Sequence, residues 1–159
     1  MKRLLAIFAT SLALNVPVMA DGKIYVQLPD LSGIDGAEAE TFLSAVVLAN
    51  VISSNCSDFA VTDEEWSLLT DSADILAHEQ LRLSLDVYDS QYYGPAFAAL
   101  DKADACQTHG PEVQPVIDRL VELGGSRQAL PDQDAAYQAE QARQDAWDAA
   151  ATPGKTKTK

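Results

Sequence analysis

The sequence predicts an all-α protein, a small bundle of four main helices with one disulfide and a helix-prone C-terminal extension. Aromatic residues make up only 7% of the chain and alanine is prominent, a composition that favours packed helices over a β-sandwich. In several segments the apolar residues recur at spacings of three and four, the period of a helix with one buried face. The hydrophobic content of 47% is in the ordinary globular range.

Residues 1–20 have the features of a secretory signal peptide. Lys2 and Arg3 provide a positive start, an apolar run follows, and the small residues Val18 and Ala20 stand where a signal peptidase recognises its substrate. We expect cleavage after Ala20. The alternative, an uncleaved anchor, needs an apolar run of about 20 residues, which this segment does not reach. We therefore expect a periplasmic or secreted protein without a stable membrane anchor.

The predicted cleavage leaves a helical domain, residues 21–130, and a flexible, acidic and alanine-rich extension, residues 131–159, which ends in a short basic tail. Loss of the signal removes two of the 11 basic residues and none of the 24 acidic ones, which takes the net charge from −13 to −15. An acidic surface repels phosphate backbones, and binding to them requires clustered Lys and Arg. We expect no nucleic-acid partner.

The first helix is predicted over residues 36–54, after a short extended segment at residues 23–28. Asp35 is placed to cap it, with Glu38 reaching back as in a capping box. The second half of this helix is apolar nearly all round. Such a helix belongs at the centre of the domain, and it delivers Cys56 just past its end.

The second helix has the clearest start in the chain. Thr62 is the predicted N-cap, Glu65 the other half of a capping box, and Val61 is placed to pack on Trp66. Helical spacing of apolar residues continues to about Ser84. An alternative is that Thr70 or Asp71 caps a second piece and divides the helix in two.

Two further helices follow a polar and aromatic connection at residues 89–94. Gly94-Pro95 marks the entry of the third helix, which runs towards Cys106 and is broken at Gly110-Pro111. The fourth begins near Val113 and ends at Gly124-Gly125, with Pro115 tolerated in its first turn.

Cys56 and Cys106 are the only cysteines. In an oxidising compartment such a pair normally forms a disulfide, which is the pairing we expect. A redox-active pair is the alternative, but it requires the C-x-x-C spacing or a thiol beside a positive group. Neither cysteine has that setting, since Ser57-Asp58 follows the first and Asp104-Ala105 precedes the second.

Tyr88, Tyr92 and Tyr93 cluster before Gly94 and form the candidate contact patch, because aromatic residues in a connection often make a binding surface. The alternative is that these tyrosines cover one end of the helical core and leave their hydroxyls in water.

The mature chain contains no sequence motif of the common hydrolases, metalloproteases or nucleotide-binding enzymes. His78 and His109 have no second His or Cys at metal-ligand spacing, so we expect no metal and no cofactor. His78 is expected on the solvent side of the second helix and His109 near the C-terminus of the third. A pair of catalytic carboxylates is recognised by the distance between them and by a raised pKa, which a sequence does not give. A hydrolase that uses such a pair therefore remains an alternative.

Cys56-Ser57-Asp58-Phe59, followed about fifty residues later by Ala105-Cys106, resembles the cysteine framework of the small helical periplasmic acid-stress chaperones (HdeA-like proteins). The resemblance implies a disulfide-tied helical protein that loosens in acid and shields unfolded clients. A long apolar helix before the first cysteine and the acidic extension depart from that family.

These observations favour an exported, non-enzymatic helical binding or interaction protein, whose partner is another exported protein. Two alternatives remain: a periplasmic acid-stress chaperone, and a carboxylate-dependent hydrolase without a familiar motif.

Overall fold

A computed structural model describes residues 22–151, so the predicted signal peptide and the basic tail lie outside the described residues. Within this range the chain is all-α with one disulfide, as the sequence predicts. None of the described helices is both long and apolar enough to cross a bilayer. The helices in chain order are α1 (Gly36–Asn55), α2 (Asp63–Ile75), α3 (Leu85–Tyr88), α4 (Gly94–Leu100), α5 (Ala105–His109), α6 (Val113–Glu122) and α7 (Gln133–Ala151).

Helix α1 is the central element, as its apolar sequence predicts. It contacts α2, α4, α5 and α6, and its second half is buried almost continuously. The prediction that Asp35 caps this helix through its side chain is wrong: Asp35 occupies the N-cap position, but its carboxylate accepts no capping hydrogen bond. The buried core of α1 consists mainly of Ala39, Leu43, Val46, Val47, Val51 and Ile52.

Helix α2 begins at the predicted capping box. The Glu65 N–H donates to Thr62 Oγ1 over 3.2 Å, and the Thr62 N–H donates to Glu65 Oε2 over 3.2 Å. Arg127 Nε donates to the other oxygen of Glu65 over 2.8 Å, and Arg127 also pairs with Asp118 in α6. The start of α2 is thereby held against α6.

The predicted extension of this second helix to Ser84 is wrong. The α-helix ends at Ile75, a π turn follows over Leu76–Gln80, and Arg82 adopts a left-handed conformation with φ of 52°. A non-glycine residue in this region ends a helix locally. Ser84 then caps α3, because its hydroxyl accepts a hydrogen bond from the Val87 N–H.

Residues 89–94, predicted as a connection, are helical instead. A second π turn, Asp89–Tyr93, joins α3 directly to α4, so one helical rod runs from Leu85 to Leu100. The rod stops short of Cys106, which lies on the separate helix α5. The predicted third helix is therefore longer at its start and interrupted before its predicted end.

Cys56 and Cys106 form the predicted disulfide, with a Cα–Cα distance of 5.6 Å. The bridge joins the end of α1 to α5 and closes a loop of 50 residues. In the chain-entropy model such a loop stabilises the fold by about 4 kcal/mol. Gly110 packs beside this region against the Phe59 ring, and a Cβ atom there would clash with that ring.

Helix α6 confirms the fourth predicted helix. Pro115 lies in its first turn, where a missing N–H removes no intrahelical bond. The helix ends at Glu122, and Gly124 follows with φ of +100°, a conformation that favours glycine.

The segment before α1 runs beside the segment before α7. Val26 and Ala129 form a single antiparallel bridge, consistent with the short extended segment predicted at residues 23–28. Gln133, the first residue of α7, accepts a hydrogen bond from the Tyr25 N–H and donates to the Tyr25 carbonyl. The Tyr25 and Tyr137 rings meet edge to face at 6.3 Å.

Helix α7 forms most of the described part of the C-terminal extension, which the sequence predicts as helix-prone but poorly anchored. In the structure α7 makes contacts that its polar composition did not suggest, and Glu140 is buried, with only 4% of its surface exposed. This carboxylate accepts hydrogen bonds from Arg143 and Gln144.

Candidate functional site

A cleft of about 510 Å³ opens between the end of α2, the start of the α3–α4 rod and the second half of α7. Its walls contain aromatic and acidic side chains together. We call it the aromatic cleft and define it by Asp74, His78, Tyr88, Tyr93 and Trp147, all of which line it.

Asp74 and His78 come from the last turn of α2 and the Leu76–Gln80 π turn that continues it. Residues four apart on a helix lie on one face, so both side chains point to the same side of the fold. Both are half-buried. The structure therefore does not place His78 on the solvent side of its helix, where the sequence suggested it.

Tyr88 and Tyr93 are brought together by the Asp89–Tyr93 π turn. Hydrogen bonds in such a turn span five residues, which stacks side chains five apart on the same side. The two ring centroids are 5.2 Å apart. The Tyr88 side chain is 4% exposed and its hydroxyl donates to Asp74 Oδ1 over 3.3 Å.

Tyr92, the remaining member of the predicted contact patch, faces the body of the protein. It is 9% exposed, and its ring lies 6.3 Å from that of Tyr88. Burial is the main reason why its pKa is raised, with a smaller effect of Glu40 in α1. Of the three predicted patch residues, the structure thus brings Tyr88 and Tyr93 to the aromatic cleft and leaves Tyr92 outside it.

Helix α7 supplies the third wall through Trp147. The indole ring lies 4.9 Å from the His78 ring, and the His78 ring meets Tyr88 edge to face at 5.9 Å. The Arg143 guanidinium lies 5.4 Å from the indole centroid, and Glu140 balances its charge. A continuous row of rings therefore runs from α7 across α2 to α3.

Burial raises the pKa of Asp74 to about 6, and the negative charge of Asp71 adds to the rise. The Tyr88 hydrogen bond and the positive charges of Lys23 and Arg143 oppose it. A carboxyl group with a pKa near 6 is present in both protonation states around neutral pH, so it can exchange a proton with a ligand in the cleft.

The pKa values of Tyr88 and Tyr93 are both raised, first by burial and also by the negative charge of Asp74. Both hydroxyls therefore keep their protons at physiological pH. Tyr88 remains a hydrogen-bond donor to Asp74, a polar contact at the floor of the cleft.

The rim of the cleft is acidic. Asp86, Asp89 and Asp148 line it with exposed side chains, and no Lys or Arg is among the described residues that line it. A smaller hollow of about 330 Å³ adjoins the cleft beside His78 and Trp147, and Arg82 borders it. The cleft itself thus combines aromatic rings with carboxylates, and its lining contains no basic side chain.

No metal site is formed by the described side chains: they contain no group of three His, Cys, Asp or Glu residues that could hold an ion. His109 is the last residue of the separate helix α5, not of the third helix as predicted, and it does not line the aromatic cleft. The expected absence of a cofactor remains a prediction.

Asp74 and Trp147 are the two cleft residues that the sequence did not single out. The available signal was the spacing along α7, where Tyr137, Glu140, Gln144 and Trp147 recur every three or four residues. Only two of these residues are apolar, so the pattern does not predict a buried helix face.

Comparison with protein-family models, with curated proteins and with solved structures finds no match to this chain.

Proposed function

We propose that this chain is an exported, non-enzymatic helical binding protein and that the aromatic cleft is its ligand site. One observation supports this proposal: aromatic rings from three separate parts of the fold line the same concave surface. Cleft volumes of about 300–1,000 Å³ are typical of small-molecule sites. The 510 Å³ of the aromatic cleft lies within that range.

The surface beside the cleft also suits a contact role. Leu85 lines the cleft with 66% of its side chain exposed, and Phe97, 50% exposed, stacks on Tyr93 at 6.2 Å. Large apolar side chains left in solvent next to a concave site often mark an interaction surface. A partner protein, itself exported, can thus reach the rim while a smaller group enters the cleft.

Export is the second part of the proposal. It rests on the sequence features of residues 1–20, and the disulfide is consistent with an oxidising compartment. Mass spectrometry of the protein recovered from the exported fraction tests it. We expect a chain that begins at Asp21 and is two hydrogens lighter than the reduced form. A chain that retains residues 1–20, or that carries two free thiols, contradicts export as proposed.

Binding at the cleft is tested with Trp147 as a built-in reporter. The chain has two tryptophans, so a Trp66→Phe protein leaves Trp147 as the only one. Trp66 is 40% exposed, which makes the substitution mild. The protein is titrated with the small-molecule and the protein fractions of an extract of the exported compartment, and Trp147 fluorescence is recorded.

We expect a saturable change of Trp147 fluorescence with one of the two fractions. The matched control is a Trp147→Phe protein, in which the remaining Trp66 lies outside the cleft and reports no change. Signals that stay flat with both fractions, or that change equally in the two proteins, contradict binding at the cleft.

A carboxylate-dependent hydrolase is a second candidate, favoured by Asp74. Its raised pKa of about 6 is suitable for a general acid or base, and it shares the cleft with His78. Purified protein is assayed with chromogenic esters and glycosides, and Asp74→Asn is the matched variant. Turnover that the variant loses supports the hydrolase, whereas equal background rates in both proteins contradict it.

An acid-stress chaperone is supported by the ion pairs. Three ion pairs of the described residues contain a largely buried carboxylate. They join Asp71 to Lys23, Glu65 to Arg127 and Glu140 to Arg143. Carboxyl groups with ordinary pKa values are neutral near pH 2, which turns the net charge of the mature chain positive. Suppression of client aggregation at about pH 2 to 3, and not at about pH 7, supports this function. Equal aggregation with and without the protein in acid contradicts it.

A further inference from the structure

The chemical character of the aromatic cleft restricts what it can hold. Its rings present partial negative charge on their faces, and Tyr88, Tyr93 and Trp147 all line the same space. A cation within about 6 Å of such a ring is attracted by its quadrupole. The Arg143 guanidinium beside Trp147 is an example within this protein, at 5.4 Å.

The carboxylates of the cleft also favour a positively charged ligand. Asp86, Asp89 and Asp148 are exposed at the rim, and Asp74 lies below them. The nearest positive charge on α7, Arg143, is already paired with the buried Glu140. An anionic ligand meets repulsion from several sides, and a neutral one gains nothing from these charges.

We propose that the aromatic cleft binds a small organic cation, an alkylammonium or quaternary ammonium group on a short apolar stem. The proposal rests on the function proposed above and names the ligand class of the same site. The positive group lies beside the Tyr93 ring and the Asp74 carboxylate, and Trp147 lines the same space. The apolar stem leaves along Leu83 and Leu85, which line the cleft mouth.

The overall charge of the protein assists this binding. A strongly negative molecule concentrates cations around itself and steers them to concave acidic surfaces. That long-range effect is not specific, because it acts on every cation and weakens with salt. Specificity for an organic cation must come from the rings, and a test has to separate the two effects.

Choline and its neutral isostere, in which a tert-butyl group replaces the trimethylammonium group, separate charge from shape. Both are titrated into the Trp66→Phe protein with Trp147 fluorescence as the readout, in buffer at physiological ionic strength. We expect choline to bind at least about tenfold more tightly than the isostere, the factor given by a desolvated cation–π contact. Sodium and potassium ions at the same concentrations leave Trp147 fluorescence unchanged.

Two matched aspartates on α7 locate the site. Asp148 lines the cleft, whereas Asp145 is exposed on the same helix and does not line it. Asp148→Asn is expected to weaken choline binding about two- to fivefold, as loss of one partly exposed ion pair does. Asp145→Asn makes the same change of net charge and is expected to leave the affinity unchanged.

A positive charge introduced at the mouth provides an independent test. Leu85→Arg changes an exposed side chain of the cleft, so the fold is retained. We expect it to reduce choline affinity several-fold, and Leu85→Glu, which loses the same apolar side chain, to increase it. Equal affinities of these two variants contradict a cation site at this position.

The outcomes distinguish this inference from the function on which it rests. Equal binding of choline and its isostere, or no response to choline, overturns the cation class. If an extract of the exported compartment still changes Trp147 fluorescence, the binding function stands and only its ligand class is wrong. If neither choline nor the extract changes it, both proposals fail.

Discussion

The Tyr88 hydroxyl donates a hydrogen bond of 3.3 Å to Asp74 Oδ1 and links the last turn of α2 to the rod formed by α3 and α4. The contact places a half-buried carboxyl group at the floor of a cleft whose walls are aromatic. Asp74 thus has two consequences: it makes the stability of the fold depend on pH, and it contributes negative charge to the proposed ligand site.

The first prediction concerns Asp74→Asn and pH. The pKa of Asp74 is about 6 in the folded protein against an ordinary value of 3.8, so the folded state binds the proton more tightly than the unfolded chain. Its contribution to stability is fully present below about pH 4 and is lost as the pH rises through about 6. The asparagine keeps an acceptor for Tyr88 and has no proton to lose.

Between about pH 5 and about pH 7.5, the wild type should lose about 1 kcal/mol of unfolding free energy relative to Asp74→Asn. Urea unfolding at the two pH values measures this difference. The comparison removes the effects of other titrating groups, because both proteins contain them. Parallel pH profiles for the two proteins contradict the burial of Asp74.

The second prediction concerns the capping box of α2. Thr62→Ala removes the acceptor of the Glu65 N–H and should lower the unfolding free energy by about 1 kcal/mol. Thr41→Ala is the matched control. Thr41 lies within α1, its side chain is exposed to solvent, and its hydroxyl donates to the carbonyl of Ala37. We expect that change to stay within about 0.5 kcal/mol. Equal effects of the two substitutions in denaturant unfolding contradict the cap.

The third prediction concerns the ion pair between Lys23 and Asp71, whose atoms Nζ and Oδ1 are 2.6 Å apart. The Asp71 side chain is only 2% exposed, so Lys23→Met leaves a buried carboxylate without this partner. We expect a loss of about 3 kcal/mol, and partial recovery when Asp71→Asn is added. Lys102→Met changes an exposed lysine and serves as the control for charge.

Chemical and thermal unfolding give the unfolding free energies of Lys23→Met, Lys102→Met and the double variant. A loss no larger than that of Lys102→Met, or a double variant less stable than Lys23→Met alone, contradicts the proposed pairing. The result also tests the N-terminal segment, because Lys23 holds that segment against α2.

The features that the sequence predicted well depend on local chemistry. Thr62 and Glu65 satisfy each other within one turn, so four residues specify the start of α2. The pairing of Cys56 with Cys106 had no competitor among the cysteines. The apolar face of α6 and the glycine at its end likewise need no knowledge of the rest of the fold.

The features that it missed depend on tertiary contacts. Arg82 terminates the helical segment in a conformation that residues other than glycine rarely adopt, and no local pattern marks it. The side of α7 that faces the body of the protein includes Glu140, which is satisfied by Arg143 and Gln144, between the rings of Tyr137 and Trp147. Hydrophobic periodicity detects apolar faces, so a buried face built from paired polar side chains escapes it.

The aromatic cleft exists only if α7 lies on the helical body, and the contact that defines this is Trp147 on His78 at 4.9 Å. Acrylamide quenching of Trp147 in the Trp66→Phe protein measures that contact most directly. We predict quenching several-fold weaker than in urea, and a marked increase in the His78→Ala variant while circular dichroism shows that the helices persist. Quenching of Trp147 as strong in the folded protein as in urea contradicts the docking of α7, and with it the cleft as a ligand site.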